Sequence, residues 1–195
     1  GGVVGILEKG GEAAIWFGKS VVSAAKFREK YRGMMQHQLG EDIGGKTYDN
    51  ILKLSQLTPG TASDMMDRAS GLINIGMRGK MFSGALAAAS DVEALAGQEK
   101  GDMFVRGLRD MFSKSKAEEQ DIKQSIAGIM PMEIFQANVL RLKGIRVEAK
   151  KVASTYEALK KAGKITGKEA AMGAVAGVGQ HLDMPPLPLG QVVVA

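Results

Sequence analysis

The chain has 195 residues, enough for one or two domains with a real core; 45% are hydrophobic but only 5% aromatic, so that core is built from Ala, Met, Leu, Ile and Val. The absence of cysteine excludes disulfides, Cys-ligated zinc and thiol chemistry. The net charge of +5 is regional: nine Lys and Arg lie between Arg141 and Lys168 against only Glu148 and Glu157, and the rest of the chain is net acidic.

Residues 2–39 read as one long helix, or two in line, on an imperfect three-to-four spacing that includes Ile6, Leu7, Trp16, Phe17, Val21, Tyr31 and Met35. Gly5, Gly10, Gly11 and Gly18 weaken it by ~1 kcal/mol each relative to Ala. Such a helix needs support from its own domain, from other copies or from an apolar surface. Glu8, Lys9, Glu12 and Lys19 interrupt its apolar run short of the ~18 residues of a membrane span. Gly40 to Lys46 reads as a loop by its glycines, after which Thr47 or Asp49 caps a short helix carrying Tyr48, Ile51, Leu52 and Leu54.

Thr58-Pro59-Gly60 is a turn, because Pro fixes φ and Gly admits positive φ. Thr61 and Asp64 then form a capping box that opens a helix. Met65, Ala69, Leu72, Ile73 and Gly76 make one apolar stripe; Asp64, Asp67, Arg68 and Asn74 are expected to face water. Gly76 ends the helix in a left-handed conformation. After a break at Arg78-Gly79-Lys80, Met81 to Leu95 is an Ala-rich helix with Phe82, Ala85, Leu86, Ala89, Val92 and Leu95 on one face. Gly97 and Gly101 bracket the next break.

Met103 to Phe112 is amphipathic through Phe104, Val105, Leu108, Met111 and Phe112. Ser115 with Glu118 reads as a second capping box, before a short polar helix carrying Ile122. Gly128 to Pro131 turns into a helix with Pro at its first position, showing Ile134, Phe135, Val139 and Leu142 and ending at Gly144. The basic segment 145–162 is predicted helical with Val152, Tyr156 and Leu159 inward, and Gly163 closes it. Thr166 with Glu169 is a third capping box, opening an Ala/Gly/Met helix that ends near Gln180. Pro185, Pro186 and Pro188 make the tail stiff and extended. Val192, Val193 and Val194 form a β-branched run suited to adding as a strand to a β-rich partner.

The expected fold is therefore all-α. A long amphipathic helix (1–40) precedes a globular helical domain (41–183) and an extended tail (184–195). The core is placed on Leu72, Ile73, Phe104, Leu108, Ile134, Phe135, Tyr156 and Leu159.

Four stretches resemble, in order, the conserved helical region of phage tail tape measure proteins. Thr58-Pro59 leading to Leu72 and Gly76 resembles its "T-P … L … G" opening. Phe104-Val105-Arg106-Gly107-Leu108 with Lys114 to Ile122 resembles its amphipathic helix, basic turn and acid-led helix. Gly128-Ile129-Met130-Pro131 with Ile134, Phe135 and Leu140 resembles its "G-x-P" turn and following helix. Tyr156 to Ala176, with Gly163-Lys164-Ile165-Thr166 inside it, resembles its "G-K-I-T" step. The likeness runs from Phe27 to Val178. It departs at Gly60, where an aromatic often follows Thr-Pro, after Gly76, and at Gly144 to Val152, which resembles an insertion. The resemblance implies a structural, non-enzymatic module in the virion tail, assembled in the host cytoplasm. It also implies self-association, as a trimer, and contact with tail tube and tail-tip or baseplate hub proteins. DNA or the host inner membrane would be met during ejection.

The residues themselves offer little chemistry. His37 and His181 stand far apart, no H-E-x-x-H or phosphate-loop motif occurs, and no cofactor or metal site is expected. Glu118, Glu119 and Asp121 read as a solvated helix start. The candidate contacts for an acidic partner are Arg141, Lys143, Arg146, Lys150, Lys151, Lys160, Lys161 and Lys164. A rival reading makes the same segment a nucleic-acid contact, without the compact Arg/Asn/Gln set that reads base edges. A third makes the N-terminal helix membrane-active.

Overall fold

The computed structural model describes residues 23–58 and 60–182, and among these every regular element is helical. The part of the expected 2–39 helix before residue 23 and the tail with Val192, Val193 and Val194 lie outside the described residues. The chain divides into two compact units, Gly1–Tyr48 and Asp49–Ala195, the division falling within a helix.

In the first unit, α1 is helical over 23–39 and α2 begins at Glu41 and runs to Ser55. Gly40 alone makes the reversal, with φ 86°. The expected loop from Gly40 to Lys46 is thus helix from Glu41 onward, and Thr47 is a buried mid-helix residue rather than a cap. The glycines serve contact instead of flexibility: a Cβ on Gly44 would overlap the backbone of Met35 and Gln36. Glu41 and Asp42 also favour a helix start, since carboxylates complement the positive end of the macrodipole.

The second unit continues with α3 (Ala62–Asn74), α4 (Gly79–Ala96), α5 (Gln98–Phe112), α6 (Glu119–Ile126), α7 (Met132–Leu142), a 3-10 turn (Ala149–Lys151), α8 (Val152–Lys161) and α9 (Gly167–His181). Helix α5 packs on α3, α4, α6 and α9, while α9 also packs on α4 and α7, and α8 lies on α7. Their shared core holds Leu72, Ile73, Phe82, Leu86, Phe104, Leu108, Phe135 and Tyr156, all essentially without solvent contact. Small residues let these helices come close. A Cβ on Gly107 of α5 would overlap Ser125 of α6, and one on Gly173 of α9 would overlap Val139 of α7.

Local signals explain the helix ends. Thr61 accepts from the Asp64 N–H while the Asp64 carboxylate accepts from the Thr61 N–H, and Thr166 and Glu169 do the same. Ser115 and Glu118 do not: α6 starts at Glu119, and the Glu118 carboxylate is held 2.7 Å from Lys114 Nζ. Pro131 is the N-cap, one position earlier than expected, and its carbonyl accepts from Ile134 and Phe135. Gly101 is no break but a position inside α5 pressed on α4, where a Cβ would stand a tight 3.2 Å from the Ala89 carbonyl oxygen. The expected inward residues Leu95 and Leu142 are 58% and 48% exposed; both lie in the last turn of a helix, beside the reversals at Gly97 and Gly144. Ile134 and Leu159 are half-buried at the margin of the core rather than inside it.

Candidate functional site

Two charge clusters stand out, and they are built differently. The first joins α3, α4 and α5. Arg68, expected in water, is 6% exposed. Its Nη1 donates to Glu93 Oε2 at 2.5 Å, and its Nε donates to Asp102 Oδ1 at 2.8 Å. The spacing Met65, Arg68, Leu72 is itself helical stripe spacing, so Arg68 lies on the buried face and only its charge suggested otherwise. Burial disfavours the guanidinium, but the Glu93 and Asp102 carboxylates outweigh that and hold its pKa above the ordinary value. Gly60 has φ 97°, and a Cβ there would stand 2.6 Å from Glu93 Oε1. The turn before α3 therefore lies directly over this carboxylate. Here a buried cation meets the buried Glu93 and the half-exposed Asp102, with Nη2 2.7 Å from Asp102 Oδ1 but forming no hydrogen bond among the described residues; the arrangement ties three helices together.

The second cluster lies where three turns meet: 113–118 between α5 and α6, 142–144 after α7, and 162–166 between α8 and α9. The Ala117 N–H donates to the Ile165 carbonyl at 3.1 Å. Lys143 Nζ donates to Glu169 Oε1 at 2.7 Å, tying the end of α7 to the start of α9. Lys116 lies against the Gly163 turn, its Nζ 3.4 Å from where a Cβ on Gly163 would be. Gly167 presses on the Met111 and Lys114 carbonyls at the end of α5.

The cations at this end fall into two sets. Lys114 is paired with Asp121 and Glu118, at 2.6 and 2.7 Å, and both raise its pKa, Asp121 more. Lys160 is paired with Glu157 at 3.0 Å and Glu119 at 3.5 Å, Lys143 with Glu169, and Lys150 with Glu148 at 3.1 Å. Burial raises the Glu169 pKa, but the Lys143 ammonium and the Thr166 N–H outweigh it and hold it low. Lys123, more than Lys160, likewise lowers that of Glu119. Arg141, Arg146, Lys151, Lys161 and Lys164, by contrast, are exposed and form no ion pair among the described residues. Lys116 and Lys168 are also exposed without a carboxylate, and Lys168 Nζ stands 5.2 Å from the centre of the Phe112 ring.

Of the eight basic residues expected to meet a partner, the structure thus leaves Arg141, Arg146, Lys151, Lys161 and Lys164 unpaired, and occupies Lys143, Lys150 and Lys160 internally. Lys116 was missed. Nothing local in Lys114-Ser115-Lys116 shows that its turn folds against Gly163, forty-odd residues on. Tyr156 sits beneath this region, its ring edge-on to Phe135 with centroids 5.8 Å apart. Burial raises its phenol pKa, and its hydroxyl has no hydrogen-bond partner among the described residues.

Among the described residues no group of three or more His, Asp or Glu is placed to hold a metal ion, and no helix is long and apolar enough to cross a membrane. No protein-family model matches the chain, and no curated protein or solved structure matches it.

Proposed function

We propose that the chain is a structural module of a phage tail tape measure protein. Its role would be in tail-length determination, tail assembly and genome ejection, carried out by helix packing with itself and with tail-tip proteins. The observation that supports this reading is the order of the four resembling stretches along the fold. Thr58 to Gly76 forms the turn and the capped α3. Phe104 to Ile122 covers α5, a basic turn and the start of α6. Gly128 to Leu140 is the turn and α7, and Tyr156 to Ala176 is α8, the Gly163 turn and the capped α9. Each stretch contributes apolar residues to one core, as a unit that is copied and stacked as a whole would require.

In this reading the module acts mechanically and has no catalytic role or cofactor. Its partners are further copies of itself, as a trimer, together with the tube wall and hub proteins. The chain would reside in the tube lumen or tail tip. Density-gradient-purified particles, digested and analysed by mass spectrometry, test this. Peptides from α3 to α9 should co-purify with tube and hub proteins. Their recovery only from the soluble fraction of lysed cells would contradict the assignment.

A further inference from the structure

We infer that the end of the bundle where the 113–118, 142–144 and 162–166 turns meet binds the phosphodiester backbone of nucleic acid without reading its sequence. This goes beyond the tail assignment and does not rest on it. The residues that carry it are Lys116, Arg141, Lys161, Lys164 and Lys168.

The first ground is selective neutralisation. Acid is not scarce here, since Glu118, Asp121 and Glu169 are all present and all engaged by Lys114 or Lys143. The five cations are nonetheless exposed and unpaired among the described residues. The second ground is helix polarity. A lysine in the last turn of a helix is explained by the negative end of its dipole, which accounts for Lys161 of α8 but not for Lys116, four residues past the end of α5. Lys168 is different: it stands in the first turn of α9, where the dipole opposes a cation and favours an anion. Lys164 lies in the turn just before that same helix start. The dipole opposes Lys168, its contact with the Phe112 ring offsets part of that, and the placement suits an anion brought there from outside.

The third ground is fixed geometry. The cations come from three chain segments tied by the Ala117–Ile165 hydrogen bond and the Lys143–Glu169 pair, so the fold and not the local chain sets their grouping. Lysine dominance then selects the class of partner. Protein interfaces are depleted in Lys and rely on buried aromatic or apolar anchors, whereas phosphate contacts are made by Lys and Arg. The exposed large apolar residue at this end is Leu142 alone among those described, too little for the core of a protein interface.

The test uses the full chain and a fluorescent mixed-sequence DNA duplex, with anisotropy followed as KCl rises. Five phosphate contacts predict a log–log slope of affinity against salt of about −4.5, hence a loss of roughly 500-fold between about 50 and about 200 mM. Replacing Lys116, Lys161, Lys164 and Lys168 by Gln should bring the slope to about −1 and weaken low-salt binding by at least about 100-fold. Gln at the exposed Lys26, Lys46, Lys53 and Lys80 removes equal charge elsewhere and should leave the slope nearly unchanged. A second duplex of unrelated sequence should bind equally well. Independently of any variant, the duplex should protect the four lysines of the native chain from acetylation. The inference is overturned by no duplex binding at low salt, by equal losses in the two quadruple variants, by absent acetylation protection, or by polyglutamate displacing the duplex at matched charge concentration.

Discussion

At the junction of α3, α4 and α5 one arginine is buried, and the fold surrounds it with Glu93, Asp102 and a glycine turn laid over the carboxylate. At the three-turn end, lysines stand in the open beside carboxylates that are engaged elsewhere. The stretch from α3 to α5 is net acidic and the 141–168 stretch strongly basic, yet charge alone does not tell which single cation is buried and which stays exposed. The difference shows that the chain has two uses for a cation. Where charge serves the fold, the partner anions come from neighbouring helices. Where they are absent although acid is close by, the inferred partner is outside the chain.

The largest expected effect tests the internal half. Arg68→Met leaves Glu93 buried and unpaired beneath Gly60, which should cost about 3–5 kcal/mol in a denaturant melt. A loss under about 1 kcal/mol would show that water reaches the cluster and that it resembles the lysine end more than its burial suggests. Next in size, Gly107→Ala drives a methyl into Ser125 where α5 and α6 touch, and should cost about 1–3 kcal/mol. Thr166→Ala removes a cap that the structure shows and should cost about 1 kcal/mol, whereas Ser115→Ala, which caps nothing, should stay within about 0.5 kcal/mol.

The smallest effect has the opposite sign. Asp91 of α4 is buried without a partner among the described residues, and burial raises its pKa above the ordinary 3.8. A carboxyl whose folded pKa is raised binds its proton more tightly when folded. Its ionisation therefore destabilises the protein as pH rises from the unfolded value through the folded one. Asp91→Asn should accordingly stabilise the protein slightly at neutral pH. The gain should vanish below the unfolded pKa, where both side chains are neutral. Thermal melts from acid to neutral pH would check it, and a gain that persists in acid would point to packing and not to charge.

What the sequence made legible was local. Two of three capping boxes, at Thr61 and Thr166, are there because all the needed groups lie within four residues. The third fails because Lys114 competes for the Glu118 carboxylate, and a pattern that counts only Ser and Glu does not include the competitor. The stripe through Leu72, Ile73, Phe104, Leu108 and Phe135 was readable from spacing alone. Arg68 was not, because spacing and charge point to opposite faces and only Glu93 and Asp102, distant in sequence, decide between them. Glycine was ambiguous in the same way. Gly40 and Gly163 stand at reversals, but Gly44, Gly101 and Gly107 sit inside helices where another backbone or side chain comes close, and the residue type is identical in both uses. The candidate nucleic-acid surface was half legible. The basic stretch was visible, yet which of its members stay unpaired, and that Lys116 joins them, depends on contacts between turns.

The contrast between internal and external charge comes down to one comparison of stabilities. Denaturant unfolding of the native chain and of the Lys116, Lys161, Lys164 and Lys168 to Gln variant, at low salt, measures whether those four lysines serve the fold. They touch no carboxylate and repel one another, which offsets what Lys161 gains at the end of α8 and Lys168 gains over the Phe112 ring, so the variant should match the native chain within about 1 kcal/mol, with an unchanged slope against denaturant. A loss of more than about 1 kcal/mol would mean that the lysines are held by the protein itself, and the division into two uses of charge would fail.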